Sequence, residues 1–133
     1  MTNQEWLYRG FQIDREIAEL KQALDKAKTE AVYISPSLSF SGAAGSHENR
    51  TEKKRMTALR YQEMLADKIA KKEQIQAEVA QAIEAVNNRT YRTILIRRYI
   101  NFKPVEVIAW EHHYSERWVQ TLLRRAESKI KQK

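Results

Sequence analysis

The chain of 133 residues contains no cysteine, two prolines and three glycines. Without cysteine it can form neither a disulfide framework nor a thiolate zinc site, and this absence fits an intracellular protein. The first residues are polar and lack the apolar segment of a signal peptide. No apolar run approaches the ~20 residues that span a bilayer. These absences predict a cytoplasmic protein.

Charged residues are abundant in the chain, and turn-forming residues are scarce. The charged residues make up 31% of the chain, and Gly and Pro, which interrupt helices, are few. This composition predicts an all-α fold. The length fits one domain, or a small domain with an extension.

The net charge of +7 is concentrated at one end of the chain. Residues 1–87 contain 13 Lys and Arg against 13 Asp and Glu, whereas residues 88–133 contain 11 against 4. A region this basic attracts polyanions, and nucleic acid is the leading candidate. The alternative is a basic surface that serves only solubility. We therefore expect a helical N-terminal part, residues 1–87, and a DNA-binding domain, residues 88–133.

Two heptad series within residues 1–87 predict long helices. The first helix is expected over about residues 3–32, with a seam formed by Trp6, Gly10, Ile13, Ile17, Leu20, Leu24, Ala27 and Ala31. The second is expected over about residues 51–86, with a seam formed by Leu65, Ile69, Lys72, Gln76, Val79, Ile83 and Val86. The Ser-rich segment 34–50 is predicted to be a flexible loop. We expect the two helices to form an antiparallel hairpin, a homodimeric two-chain coiled coil, or both. The alternative to dimerisation is a helical core that serves only its own fold.

Three short helices are predicted in the basic region, over about residues 89–101, 104–112 and 115–131. The last two have the spacing of a helix-turn-helix, with the small residue Ala109 at the helix crossing. The first helix turns Tyr91, Ile94, Leu95 and Tyr99 inward. The other expected core residues are Ile108, Trp110, Tyr114, Val119, Leu122, Leu123, Ala126 and Ile130. This pattern predicts a compact three-helix domain.

Two histidines depart from the usual helix-turn-helix pattern. His113 stands at a turn position that often holds Gly, so we expect positive φ there. His112 occupies a position where an apolar residue is usual. Trp118 is expected to pack against the preceding helices rather than to touch the DNA backbone.

The final helix is the predicted reading head, because the second helix of such a motif enters the major groove with its N-terminal residues at the base edges. The candidate base-reading residues are Glu116, Arg117, Gln120 and Thr121. Arg can bond guanine, Gln can bond adenine, Glu can accept from cytosine, and Thr can touch a thymine methyl group. The candidate phosphate contacts are Lys103, Ser115, Arg124, Arg125 and Lys129. Phosphate contacts position the protein without reading sequence.

The stretch EVIAWEHHYSERWVQTLLRRAESKI, residues 106–130, resembles region 4 of sigma-70-type factors. It also resembles the small phage transcriptional regulators of the RinA and ArpU type, and TYRTILIRRYI, residues 90–100, is similar to their preceding helix. The heptad-bearing N-terminal half matches the layout of the phage group. The resemblance implies control of late phage genes in a bacterial host cell, with the last helix in the major groove near a promoter element.

Other activities find less support in the sequence. There is no Gly-rich phosphate loop and no Ser/His/Asp set in a plausible context, so we expect neither catalysis nor a cofactor. His112 and His113 are adjacent and cannot share a helix face, so we expect no metal site. Two alternatives to transcription regulation stay open. One is a DNA-packaging protein resembling a terminase small subunit. The other is a coiled-coil module that binds RNA polymerase or a repressor.

Overall fold

The computed structural model of the chain describes residues 1–34 and 44–132, and every regular element within those ranges is a helix. The elements are α1 (Asn3–Ile34), α2 (Ala44–Glu84), α3 (Arg89–Leu95), a π-helical turn (Ile96–Ile100) that continues α3, α4 (Val105–His112) and α5 (Glu116–Glu127). The predicted all-α fold is confirmed. No helix in the described part is both long and apolar enough to cross a membrane.

Side chains mark where three of these helices begin. The Thr2 hydroxyl accepts a hydrogen bond from the Glu5 amide (3.1 Å), and the Glu5 carboxylate accepts one from the Thr2 amide (3.2 Å). This reciprocal pair satisfies donors that the first turn of α1 would leave unpaired. Asn88 caps α3 and Ser115 caps α5 in the same manner, each through one side-chain oxygen.

The chain divides into two compact units. We call Met1–Asp14 with Lys71–Lys133 the head unit, and Arg15–Ala70 the hairpin unit. This division differs from the expected boundary between residues 87 and 88. The start of α1 and the end of α2 belong with the C-terminal helices.

α1 and α2 pair antiparallel within one chain, which is one of the alternatives that the heptads left open. In the hairpin unit Lys68 bonds Glu16 (2.8 Å) and Lys54 bonds Glu30 (2.7 Å). In the head unit the corresponding pairs are Arg9 with Glu78 (3.0 Å) and Lys72 with Asp14 (2.7 Å). In each unit, later residues of α1 pair with earlier residues of α2, as expected for antiparallel helices.

The seam of α1 is confirmed, and the seam of α2 needs one correction. Trp6, Gly10, Ile13, Ile17, Leu24 and Ala27 are buried and Leu20 is half-buried, while the side chain of Ala31 lies outside the described part. In α2, Val79 and Ile83 are buried and Leu65 is half-buried, and Val86, which lies beyond the end of α2 at Glu84, is also buried. Ile69, however, is 38% exposed. Lys68 takes its place in the seam, because its ion pair with Glu16 reaches across the helix pair.

The predicted loop over residues 34–50 is wrong at both ends. α1 includes Ile34, and α2 already begins at Ala44. Residues 44–50 contain no proline, so they can extend α2 despite their polar composition. Residues 35–43, the centre of the predicted loop, lie outside the described residues.

The head unit has its core where α3, α4 and α5 meet. Its buried apolar residues include the predicted Ile94, Leu95, Tyr99, Ile108, Ala109, Val119, Leu122, Leu123, Ala126 and Ile130. Tyr91 is half-buried. Leu7 of α1, which no seam predicted, is fully buried, and the Phe11 ring lies edge-on to the Phe102 ring at 4.9 Å between centroids. The first turns of α1 are therefore part of the head.

α5 ends earlier than expected, at Glu127 rather than near Lys131. The Asn3 amide donates hydrogen bonds to the carbonyl oxygens of Glu127 (2.9 Å) and Ile130 (3.0 Å). Asn3 itself accepts a hydrogen bond from the Gln132 side chain (2.8 Å). The N-terminus thus supplies hydrogen-bond donors to carbonyl groups at and just beyond the end of α5.

Candidate nucleic-acid interface

A tight turn joins α4 to α5. His113 adopts the left-handed conformation (φ 57°, ψ 37°), which confirms the expected positive φ. The following amide, Tyr114 N, donates to the Ala109 carbonyl at 2.9 Å and closes the end of α4. Ala109 is 4% exposed. A small side chain at this point lets the two helices approach closely.

The outward side of α5 brings the predicted base-reading residues together. Arg117, Thr121 and Arg124 follow one another at i, i+4 and i+7, opposite the buried Val119 and Ala126. We call these three residues the reading stripe. Glu116 and Gln120 lie exposed on one flank of it. Thr121 is half-buried, and its hydroxyl donates to the Arg117 carbonyl (3.0 Å).

The predicted phosphate contacts fall into two groups. Arg124, Arg125 and Lys129 are exposed and form no ion pair among the described residues. Ser115 and Lys103 are occupied instead. The Ser115 hydroxyl accepts from the Trp118 amide (3.1 Å), and the Lys103 ammonium bonds the Glu111 carboxylate (2.6 Å). Both predicted phosphate contacts therefore already have local partners.

Glu111 neutralises part of the positive charge behind the reading stripe. Its carboxylate accepts from Lys103 through one oxygen and from Arg97 through the other, each at 2.6 Å. The hydrogen bond from Lys103, followed by the charges of Lys103 and Arg97, holds the pKa of Glu111 below its ordinary value, although partial burial opposes this. The cluster stays charged at neutral pH and ties α4 to the chain that precedes it.

Trp110 is not a core residue, contrary to the sequence-based expectation, since 81% of it is exposed. α4 buries Ile108 and Ala109, and a side chain two positions after Ile108 points away from that side. The expectation failed because residue type was given more weight than position on a short helix.

Two other aromatic residues also lie nearer the surface than expected. Trp118 is 41% exposed and lies beneath the Arg125 guanidinium, 5.5 Å from the ring centroid, rather than being packed away against the earlier helices. Tyr114 is 38% exposed and stacks on His112 instead of filling the hinge. Trp118 and Arg125 therefore form the second flank of the reading stripe.

A cleft of about 380 Å³ beside the reading stripe was not foreseen from the sequence. Its lining includes Gln4, Tyr8, Arg98, Tyr99, Gln120 and Arg124. At its base the Tyr99 hydroxyl donates to the Glu127 carboxylate (2.6 Å). Burial raises the pKa of the Glu127 carboxyl, and burial together with this hydrogen bond raises the pKa of the Tyr99 phenol. Tyr99 and Glu127 are 28 residues apart in the sequence, so no local sequence pattern predicts their contact.

The described residues contain no group of three or more His, Asp or Glu side chains arranged to hold a metal ion. Comparison with known proteins adds no relative. No family model matches the chain, and neither a curated protein nor a solved structure matches it closely enough to count as similar.

Proposed function

We propose that the chain is a sequence-specific DNA-binding transcription regulator and that α5 enters the major groove of duplex DNA. The observation that carries this proposal is the outward side of α5, where Gln120 is exposed beside Arg117, Arg124 and Arg125, and these arginines form no ion pair with any described residue. It lies in the part of the chain that holds the whole net charge of +7. Groups of this kind recognise phosphates and base edges together.

The distribution of acidic residues supports the proposal. Residues 88–133 contain four acidic side chains. Two of them have local partners, because Glu111 bonds Lys103 and Arg97, and Glu127 accepts from Tyr99. The basic side chains of α5 form no ion pair with these acidic residues, so their positive charges are available to a binding partner. A positive surface of this kind concentrates a polyanion near the reading stripe.

The order of residues along α5 suggests which side chains read bases and which contact phosphates. Arg117 stands in the first turn, where recognition helices usually meet base edges, and its forked guanidinium suits guanine. Gln120 suits adenine, and the Thr121 methyl group suits thymine. Arg124, Arg125 and Lys129 lie further along or beyond the helix and suit phosphate oxygens.

The resemblance of residues 90–100 and 106–130 to sigma-70 region 4 and to phage regulators makes this proposal more specific. On that basis we propose control of late phage genes in the cytoplasm of a bacterial host, with RNA polymerase as a further partner. A terminase-like packaging role would use the same DNA-binding surface, and ring assemblies seen by mass measurement would indicate it.

The test is selection of bound sequences from a random duplex pool, followed by titration of the selected site and of an unrelated duplex. We expect Arg117→Ala to weaken the selected site by roughly ten-fold or more and to change the unrelated duplex little, since a bidentate base contact discriminates by about 1–3 kcal/mol. Arg125→Ala should weaken both duplexes alike and reduce the slope of log affinity against log salt by about 0.9.

Arg15→Ala is the matched control, because it removes one exposed arginine from the hairpin unit. It should leave both affinities nearly unchanged. If Arg117→Ala and Arg125→Ala lowered affinity equally on both duplexes, the assignment of reading and positioning roles would be incorrect. If the full chain ignored duplex DNA at low salt, the proposal itself would fail.

A further inference from the structure

A second heptad series runs along the face of α2 that points away from α1 in the hairpin unit. It consists of Glu52, Met56, Leu59, Glu63, Ala66 and Ala70, which alternate four and three apart. We call these residues the outer stripe. All six are exposed, and Met56 and Leu59 reach 55% and 57%. Four of the six are apolar, and an exposed series at this spacing that is mostly apolar is typical of a helix that packs against another helix.

The hairpin unit has little core of its own. Among its described side chains only three apolar residues are buried, namely Ile17, Leu24 and Ala27. Two antiparallel helices alone can cover only one side of each other, so exposed apolar residues on the far side have no place to pack. The unit contains ten Lys and Arg against eight Asp and Glu, so net charge opposes self-association only weakly.

We propose that a second copy of this chain packs on the outer stripe, with its α2 antiparallel to the first. A two-fold axis near residue 64 would place Leu59 opposite the partner's Ala70, and Glu63 opposite the partner's Ala66. Large residues then face small ones, which allows close approach of the helices. Because the same surface is used twice, the interface closes as a symmetric dimer.

Charge complementarity selects both the occupant and the direction. Arg60 and Asp67 flank the outer stripe on one side, are exposed, and form no ion pair among the described residues. In the antiparallel register Arg60 lies beside the partner's Asp67, and Asp67 beside the partner's Arg60. In a parallel pair these flanking positions would lie on opposite sides of the interface, so Arg60 would not meet the partner's Asp67. One helix thus carries both halves of a self-complementary pattern.

The dimer we expect is modest in strength. In this register the two outer stripes overlap from Leu59 to Ala70, which is about 17 Å at 1.5 Å per residue. Interfaces of this length bury less area than obligate dimers do. We expect a dissociation constant of about 1–100 μM, a range that sedimentation of the full chain at several concentrations would measure.

The decisive experiment reverses charges in the full chain. Arg60→Asp gives four acidic groups at the flank of a homodimer, and Asp67→Arg gives four basic ones, so each variant alone should dissociate at least about ten-fold more readily. An equimolar mixture of the two variants should dimerise again, because each copy now supplies the charge that the other lacks. Circular dichroism of each variant checks that the helices are intact.

Orientation can be tested independently, because the chain has no cysteine of its own. Leu59→Cys mixed with Ala70→Cys should form a disulfide between the two variants under mild oxidation, whereas neither variant alone should link efficiently. Efficient linkage of either variant with itself would indicate a parallel pair.

Several results would overturn this proposal. One is a full chain that stays monomeric at several hundred μM, and another is a dimer indifferent to both charge reversals. The proposal would also be overturned if the mixture of Arg60→Asp and Asp67→Arg were no more dimeric than either variant alone. None of these results tests DNA binding by α5. That binding is measured separately, by titrating a selected half-site with a monomeric variant.

Discussion

The hairpin unit and the head unit are built from the same two long helices, yet they differ in how their residues are buried. Eighteen apolar residues are buried in the head unit and three in the described side chains of the hairpin unit. Both non-glycine residues with positive φ in the described part of the chain, Phe102 and His113, belong to the head unit. The hairpin unit is held largely by one apolar seam and by ion pairs at its edges.

This difference shows why a heptad pattern alone says little about stability. In the head unit, α1 and α2 add Trp6, Leu7 and Val79 to a core that three short helices already form. In the hairpin unit the same helices have only each other. We therefore expect mutations of equal chemistry to have unequal effects in the two units.

The largest contrast should come from one leucine in each unit. Leu95→Ala, at 0% exposure in the head unit, should lower the free energy of unfolding by about 3–5 kcal/mol, whereas Leu24→Ala in the hairpin unit should cost about 2 kcal/mol. A well-packed core collapses poorly around a cavity, while a two-helix seam can close. Urea unfolding followed by circular dichroism measures both. Trp6, Trp110 and Trp118 all lie in the head unit, so fluorescence isolates its transition. Equal losses of unfolding free energy in Leu95→Ala and Leu24→Ala would contradict the expected difference between the two units.

The next contrast concerns whether α1 belongs to the head. Asn3→Asp should lower the free energy of unfolding by about 2 kcal/mol, because the Glu127 and Ile130 carbonyls lose the hydrogen bonds from the Asn3 amide and face a carboxylate. Asn3→Ala should cost about half as much, since it removes the donor without adding repulsion. Chemical unfolding monitored by tryptophan fluorescence gives both values. Two variants as stable as the parent would mean that α1 does not complete the head.

A smaller effect, of opposite sign, is expected at the turn. His113→Gly should stabilise the chain by about 0.5 kcal/mol, because glycine adopts the left-handed conformation without steric cost but loses more entropy on folding. Phe102→Gly is the matched variant at the other left-handed residue. It should destabilise, since the Phe102 ring packs on Phe11. Thermal unfolding of the two variants should therefore shift in opposite directions, and a shared direction would refute the distinction.

The smallest effect depends on pH. Folding holds the pKa of Glu111 below 4.5, so its stabilising contribution is present above that value and is lost as pH falls through the lowered pKa. The stability gap between the parent and Glu111→Gln should therefore narrow as pH falls below about 4.5. Glu30 in the hairpin unit also has a lowered pKa, chiefly through a hydrogen bond from Lys54. Glu30→Gln should show a smaller change of the same sign, because one ion-pair partner is lost instead of two. A gap for Glu111→Gln that stays constant across the titration would contradict this account.

Sequence reasoning worked where a pattern is local. Periodicity identified the helices, and the series from Val119 to Ile130 identified the buried side of α5, so the candidate reading residues could be named as its complement. The spacing of Ala109 and His113 predicted the turn. Two assignments were wrong: Trp110 was placed in the core although α4 turns it outward, and Ile69 was placed in the α2 seam by its spacing although it is 38% exposed.

The sequence by itself determined the helices, their caps, the turn between α4 and α5, and the concentration of positive charge after residue 88. Each depends on neighbours within a few positions, so local physics suffices. Only the tertiary structure decided that α1 completes the head through Asn3, that Glu111 holds Lys103, and that Tyr99 meets Glu127 beside the reading stripe. These contacts join residues brought together by packing, and no period along the chain encodes which surfaces will meet.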